Sequence, residues 1–180
     1  MSSNAKPLPR DIADRVAIAV VAELAHGCDR IEVAGSLRRR ALAVNDIEIV
    51  AVPRRLPDLL GEGLGDSCLE PILARLVEEG KLEKIKAGDK FKQFRIVRYG
   101  CNLDLFLCAR DTWGVNFTIR TGPADFSRLL VTSKSEGGYM PDDLRVADLR
   151  IWRGYDALET PEEANVFRTI GLDWIPPDKR

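Results

Sequence analysis

The chain has 180 residues, a formal net charge of −1, 45% apolar and 31% charged residues, four cysteines and one histidine. That length suits one domain or two small lobes and buries roughly 70% of the unfolded surface, so folding requires no disulfide or metal staple. A single histidine excludes sites built on two, near-zero charge gives no whole-molecule attraction to polyanions, and no run reaches the 18 or so apolar residues of a membrane span. In chain order, Met1 to Arg10 is polar and lacks the apolar core of a signal peptide. Ile12, Val16, Ala19, Val20 and Leu24 then recur at helical spacing between Leu8 and Gly27, which predicts a helix stopped by Gly27 with His26 at its end. Ile31 to Ala34 reads as a strand broken by Gly35-Ser36, and Val44 to Val52 as a second strand closed by Pro53. A loop is expected over 57–65 and an amphipathic helix over Leu69 to Glu79, ended by Gly80. Leu82 to Ala87 and Lys90 to Tyr99 predict two strands around Gly88-Asp89, and Cys101 to Cys108 a further one. Helices are expected over Trp113 to Ile119 and Ala124 to Thr132, and short strands near Leu144 to Ala147 and Leu149 to Trp152. A last helix should span Pro161 to Ile170, with Thr160 as N-cap and Gly171 as stop. Strand character gives way to helices near Ala109 to Thr112, where a lobe boundary is expected. The cysteines (Cys28, Cys68, Cys101, Cys108) form no CxxC pair. Free, mostly buried thiols and a cytoplasmic location are expected.

Charge is unevenly distributed. Between Lys81 and Gly100, seven basic residues stand against two acidic ones, and Arg38, Arg39 and Arg40 follow Gly35-Ser36-Leu37. Such a basic side fits a polyanion or a solvated charged face equally well.

The segment Val44-Asn45-Asp46-Ile47-Glu48-Ile49-Val50 carries the chemistry. Alternate strand residues share a face, so Asp46 and Glu48 project side by side, roughly 7 Å apart along the backbone. Two carboxylates on an apolar strand repel one another, and their desolvation costs several kcal/mol without a counter-charge. A divalent cation resolves both problems, and magnesium prefers oxygen ligands of this kind. Asp104 repeats the anomaly amid Leu103, Leu105, Phe106 and Leu107. If its strand lies beside that of Asp46, three carboxylates meet and two ions could serve an in-line phosphoryl transfer, with Asp104 as base or ligand. Gly35-Ser36 offers close backbone approach and a hydroxyl donor to phosphate, and the arginines offer bidentate forks. Gly-Ser alone marks any turn, and Asp-x-Glu alone suits the polar face of an edge strand. Phosphate donors about ten residues before a carboxylate pair indicate a metal–triphosphate site.

On these residues the chain resembles the nucleotidyltransferase superfamily related to DNA polymerase beta, and within it the family X DNA polymerases. The resemblance rests on Gly35-Ser36-Leu37-Arg38-Arg39, on Asp46-x-Glu48 and the later Asp104, and on Thr121-Gly122 followed by Phe126. It extends to the tail from Val166-Phe167 through Gly171-Leu172 to Ile175-Pro176-Pro177. Glu48 stands where the polymerases usually carry aspartate, Ile119-Arg120 replaces an aromatic pair, and Asn102 and Phe106 stand where they carry arginines. The resemblance implies an α+β fold: a palm (8–109) with a mixed central sheet flanked by helices, and a small α/β thumb (110–180). It implies metal-binding and catalytic roles for Asp46, Glu48 and Asp104 with two Mg2+ ions, for which Mn2+ can substitute. Nucleotide binding falls to Gly35, Ser36, Arg39, Thr121 and Gly122. The implied activity is transfer from a dNTP to a primer 3′-hydroxyl in gapped or primer-template DNA, by a monomer. Lys84, Lys86, Lys92, Arg95 and Arg128 are the expected DNA contacts. Transfer to RNA, a protein or a small molecule, and a non-catalytic nucleic-acid-binding module, are the alternatives.

Overall fold

A computed structural model describes residues 7–57 and 64–180. In chain order the elements are β1 (Leu8–Pro9), α1 (Arg10–Leu24), β2 (Cys28–Val33), α2 (Gly35–Arg38), β3 (Ala43–Val44), β4 (Asp46–Pro53), β5 (Arg55–Pro57) and β6 (Leu64–Ser67). They continue with α3 (Leu69–Glu78), β7 (Leu82–Ala87), β8 (Phe91–Ile96), β9 (Cys101–Leu107), α4 (Trp113–Thr121) and α5 (Ala124–Val131). The last are β10 (Leu144–Ala147), β11 (Arg150–Arg153), β12 (Asp156–Leu158) and α6 (Glu163–Thr169). The fold is α+β, and the chain divides into two compact units. The first comprises Met1–Val33 and Ala41–Leu107, the second Ala34–Arg40 and Cys108–Arg180. The segment with Gly35-Ser36 and the arginines thus groups with the second unit. Among the described residues no helix is long and apolar enough to cross a membrane.

The first unit is built on a five-stranded mixed sheet in the order β2-β4-β9-β8-β7. Only the β4–β9 pair is parallel; the other pairs are antiparallel. Ile47, Ile49, Leu103, Leu105 and Phe94 share one face by register and are buried. Lys92 lies on that same face, opposite Leu105, and its ammonium reaches Glu70 of α3 at 3.0 Å. That ion pair identifies the face on which α3 packs. The helix turns Leu69, Leu73 and Leu76 inward and ends where Gly80 adopts a φ of 68°. Its first turn approaches the end of the α1 segment through Gly27, where a Cβ would lie 2.7 Å from Leu69 Cα. In α1 the buried residues are Ala13, Val16, Ala17 and Leu24. Ala19, expected on the inner stripe, is exposed. The expected loop over 57–65 lies mainly on residues 58–63, outside the described ones, but 55–57 pairs antiparallel with 64–67.

The second unit packs α4, α5 and α6 with the three-stranded antiparallel sheet β10-β11-β12 around Val115, Phe126, Leu130, Met140, Ile151 and Phe167. Helix α4 runs against the segment leading into α6. A Cβ at Gly114 would sit 2.2 Å from the Thr160 carbonyl oxygen, so only glycine fits there. The last helix starts two residues later than its spacing predicts. Thr160 is not its cap: the first turn is closed by Asn165 Oδ1, which accepts from the Glu162 N–H at 3.1 Å. Gly171 ends the helix with a φ of 74°. β12 went unread in the sequence, because three residues, one of them acidic, give no alternation to recognise.

Candidate functional site

The carboxylates occupy one face of the first unit's sheet. Within β4, Ile47 and Ile49 are buried and Asp46 and Glu48 half-buried, so the strand alternates as its sequence requires. In the parallel pairing with β9, Glu48 is in register with Asp104 and Asp46 with Asn102. In-register residues of neighbouring strands share a face and lie about 4.8 Å apart. Asp46, Glu48 and Asp104 therefore occupy adjacent positions on the face opposite Lys92 and α3. On the other side of β9, Gln93 is in register with Asp104 and donates from Nε2 to Oδ1 at 2.8 Å. This contact was invisible in the sequence, where Gln93 is one polar residue in an alternating strand and its partner depends on register. Further along the same face Val50 and Phe106 are buried, which confines the acidic patch to one end of the strands.

All three side chains offer hard oxygen donors, the set that magnesium selects. Among the described residues, however, no three Asp, Glu, His or Cys side chains are grouped closely enough to hold one ion. The backbone register brings the acids to adjacent places on one face. Asp46 also bears on its neighbour Cys101, whose thiol is pushed up by burial first and by this carboxylate in addition.

Of the basic residues expected to meet DNA, the four on the first unit's sheet are divided between its two faces. Lys86 and Arg95 share the carboxylate face by register. Lys84 has the opposite register, and Lys92 is 7% exposed and bound to Glu70. The expectation for Lys92 is therefore corrected: its charge is already neutralised against α3. Arg128, in the second unit, is exposed, with Asp125 at 3.8 Å.

In the second unit the Gly-Ser segment forms the short helix α2. Gly35 has a φ of 61°, a conformation that favours glycine, and the Ser36 hydroxyl is buried without a hydrogen-bond partner. A buried, unsatisfied hydroxyl costs about 1–3 kcal/mol. Thr121 lies against this segment: Arg38 Nη1 donates to its hydroxyl at 2.6 Å and Arg39 Nη1 to its carbonyl at 2.7 Å. The structure thus brings Arg39 and Thr121 together.

Arg38 has a different part. Its guanidinium binds Glu163 through both nitrogens, at 2.8 and 3.0 Å, and its Cζ lies 3.9 Å from the Phe117 ring centroid. Arg180 Nη1 donates to the same carboxylate at 2.7 Å and the Trp174 indole N–H at 3.2 Å. Burial pushes the Glu163 carboxyl up, but hydrogen bonds and charge from Arg38 and Arg180 outweigh it and hold the pKa at about 2. Sequence reading missed Glu163, Trp174 and Arg180 because each acts through a partner far along the chain.

Comparisons with protein-family models and with curated proteins return no match.

Proposed function

We propose that this chain transfers a nucleoside monophosphate from a dNTP to the 3′-hydroxyl of a DNA primer and releases pyrophosphate, as a family X-like polymerase filling short gaps. The observation that carries the reading is the register of the parallel β4–β9 pair, which sets Glu48 beside Asp104 with Asp46 two residues away on the same face. Asp46, Glu48 and Asp104 would hold Mg2+, two ions in number, with Mn2+ as a substitute. When bound, the metal supplies Lewis-acid polarisation of the phosphates and lowers the pKa of the attacking hydroxyl. Asp104, steadied by Gln93, is the group that takes the primer hydroxyl proton. The hydroxyl oxygen forms its bond to the α-phosphorus as the bond to the bridging oxygen breaks, and pyrophosphate leaves. Ser36 Oγ and Arg39 are the groups that bind the triphosphate. Arg38 takes no phosphate; it fixes the segment that carries them to α4 and α6.

The test is incubation with single-nucleotide gapped DNA and each dNTP separately, in Mg2+ or Mn2+. Incorporation is expected with the wild type and is lost in Asp46→Asn and Asp104→Asn. Measurable dNTP binding with no incorporation under either metal overturns the polymerase reading. One observation favours a different acceptor, such as RNA, a protein or a small molecule: register turns Lys84 and Lys92 to the face opposite the carboxylates, which leaves the carboxylate face less basic than the sequence promises. Transfer of labelled nucleotide to such an acceptor, and none to DNA, would decide for it.

A further inference from the structure

The outer face of the second unit's sheet carries a cluster that nucleotidyl transfer does not use. Antiparallel register places Arg145, Trp152 and Ala157 in one row across β10, β11 and β12. Their neighbours in the adjacent row, Val146, Ile151 and Leu158, belong to or pack on the core, so the Arg145 row faces away from it. Arg145 is exposed and lies over the Trp152 ring, Cζ to centroid 5.6 Å. Its Nη2 reaches the carbonyl of Gly154 at 3.4 Å, at the tip of the β11–β12 hairpin. The next residue, Tyr155, is 97% exposed, the most exposed large hydrophobic side chain among the described residues. Trp152 keeps its indole N–H on the Ala147 carbonyl at 3.1 Å, which fixes the ring.

Two features separate this cluster from an ordinary solvated face. The nearby Arg150 and Arg153 are matched to Asp111 and Asp143, but among the described residues no carboxylate pairs with Arg145. A tyrosine at a hairpin tip adds nothing to the core, and exposing it in water forgoes the burial that stabilises aromatic residues elsewhere. A fixed indole, a second ring at the tip of the same hairpin and an uncompensated guanidinium together match single-stranded nucleic acid: stacked bases take the rings and phosphate takes the arginine. A duplex hides its base faces and cannot use the rings.

We propose that Arg145, Trp152 and Tyr155 form a stacking platform for single-stranded nucleic acid. It is made of second-unit residues alone, whereas the carboxylates belong to the first unit, and it goes beyond the nucleotidyl-transfer reading. The experiment is fluorescence anisotropy of a labelled oligo-dT strand with the full chain, with a duplex of the same length as competitor. It is run in EDTA without nucleotide, so failure of the transferase reading leaves the result intact. Wild-type protein is expected to prefer the single strand. Tyr155→Ala, at an exposed tip where folding is unaffected, should weaken binding about tenfold, Tyr155→Phe should restore it, and Arg145→Ala should weaken it severalfold and flatten the salt dependence. No binding by the wild type, equal affinity for the duplex, or wild-type affinity in Tyr155→Ala overturns the proposal. Loss in Arg145→Ala alone would mean attraction by charge without stacking, and overturns it as well.

Discussion

Replacing Glu163 by glutamine keeps the shape of the side chain and removes the one negative charge between two guanidinium groups. The carboxylate is 8% exposed, Arg180 is fully buried and Arg38 largely so. In Glu163→Gln one oxygen that accepted from Arg38 and Trp174, or from Arg38 and Arg180, becomes an amide donor facing other donors. Removing one partner of a buried ion pair costs about 3–5 kcal/mol, because the remaining charges lose their compensation. The depression of the Glu163 pKa from 4.5 to about 2 gives an independent figure. At about 1.4 kcal/mol for each tenfold change in proton affinity, it corresponds to about 3 kcal/mol. The sign follows from the direction. The folded pKa lies below the unfolded one, so this stabilisation is complete above pH 4.5 and disappears as pH falls from there toward 2. Urea unfolding followed by tryptophan fluorescence reads the effect selectively, since Trp113, Trp152 and Trp174 all lie in the second unit. The wild-type midpoint should fall across that acid range, and the variant should start about 3–5 kcal/mol lower at pH 7 with the acid dependence much reduced. An unchanged midpoint at pH 7, or an equal acid dependence in the variant, would refute the assignment of the charge balance to Glu163.

Other expectations follow from single contacts. Gly114→Ala should destabilise the second unit by about 3 kcal/mol or more in the same fluorescence assay, because the new methyl would meet the Thr160 carbonyl at 2.2 Å. Asp104→Asn should abolish nucleotide incorporation while far-UV circular dichroism and the unfolding midpoint stay at or above wild type, since one of several neighbouring like charges is gone. Disulfide exchange with a chromogenic reagent at pH 8 should label Cys68 and Cys108 first. Cys28, pushed up to about 11 mainly by burial, and the buried Cys101 should lag until the fold is opened with urea.

Local features of this protein were open to sequence reading, and pairings were not. The Asp46–Ile47–Glu48–Ile49 alternation announces its strand and its two faces, and Gly80 and Gly171 stop helices where spacing places them. That β9 lies beside β4, parallel and with Asp104 opposite Glu48, depends on sheet order, which no local pattern encodes. The three consecutive arginines look equivalent in the chain. In the fold, Arg38 belongs to Glu163, Arg39 to the Thr121 carbonyl, and Arg40 has a φ of 65° on the surface. Lys92 reads as one more base in a basic strand until register turns it toward Glu70. Thr160 has a good capping side chain, yet two further residues precede the helix, and its hydroxyl is left buried without a partner.

Neither unit is a single stretch of polypeptide. During vectorial synthesis Arg38 leaves the ribosome long before Glu163, its ion-pair partner 125 residues later. The short helix that carries it has no home until α4 and α6 exist. Loop-closure entropy therefore falls on the slowest part of the process, and the 34–40 segment must wait exposed, as happens where distant contacts limit the folding rate. A fragment cut at the apparent lobe boundary would inherit the defect. Expressed alone, residues 108–180 would leave Glu163 with Arg180 but without Arg38, and should give broad, poorly dispersed amide resonances. Supplying a peptide spanning 34–40 in trans should sharpen them.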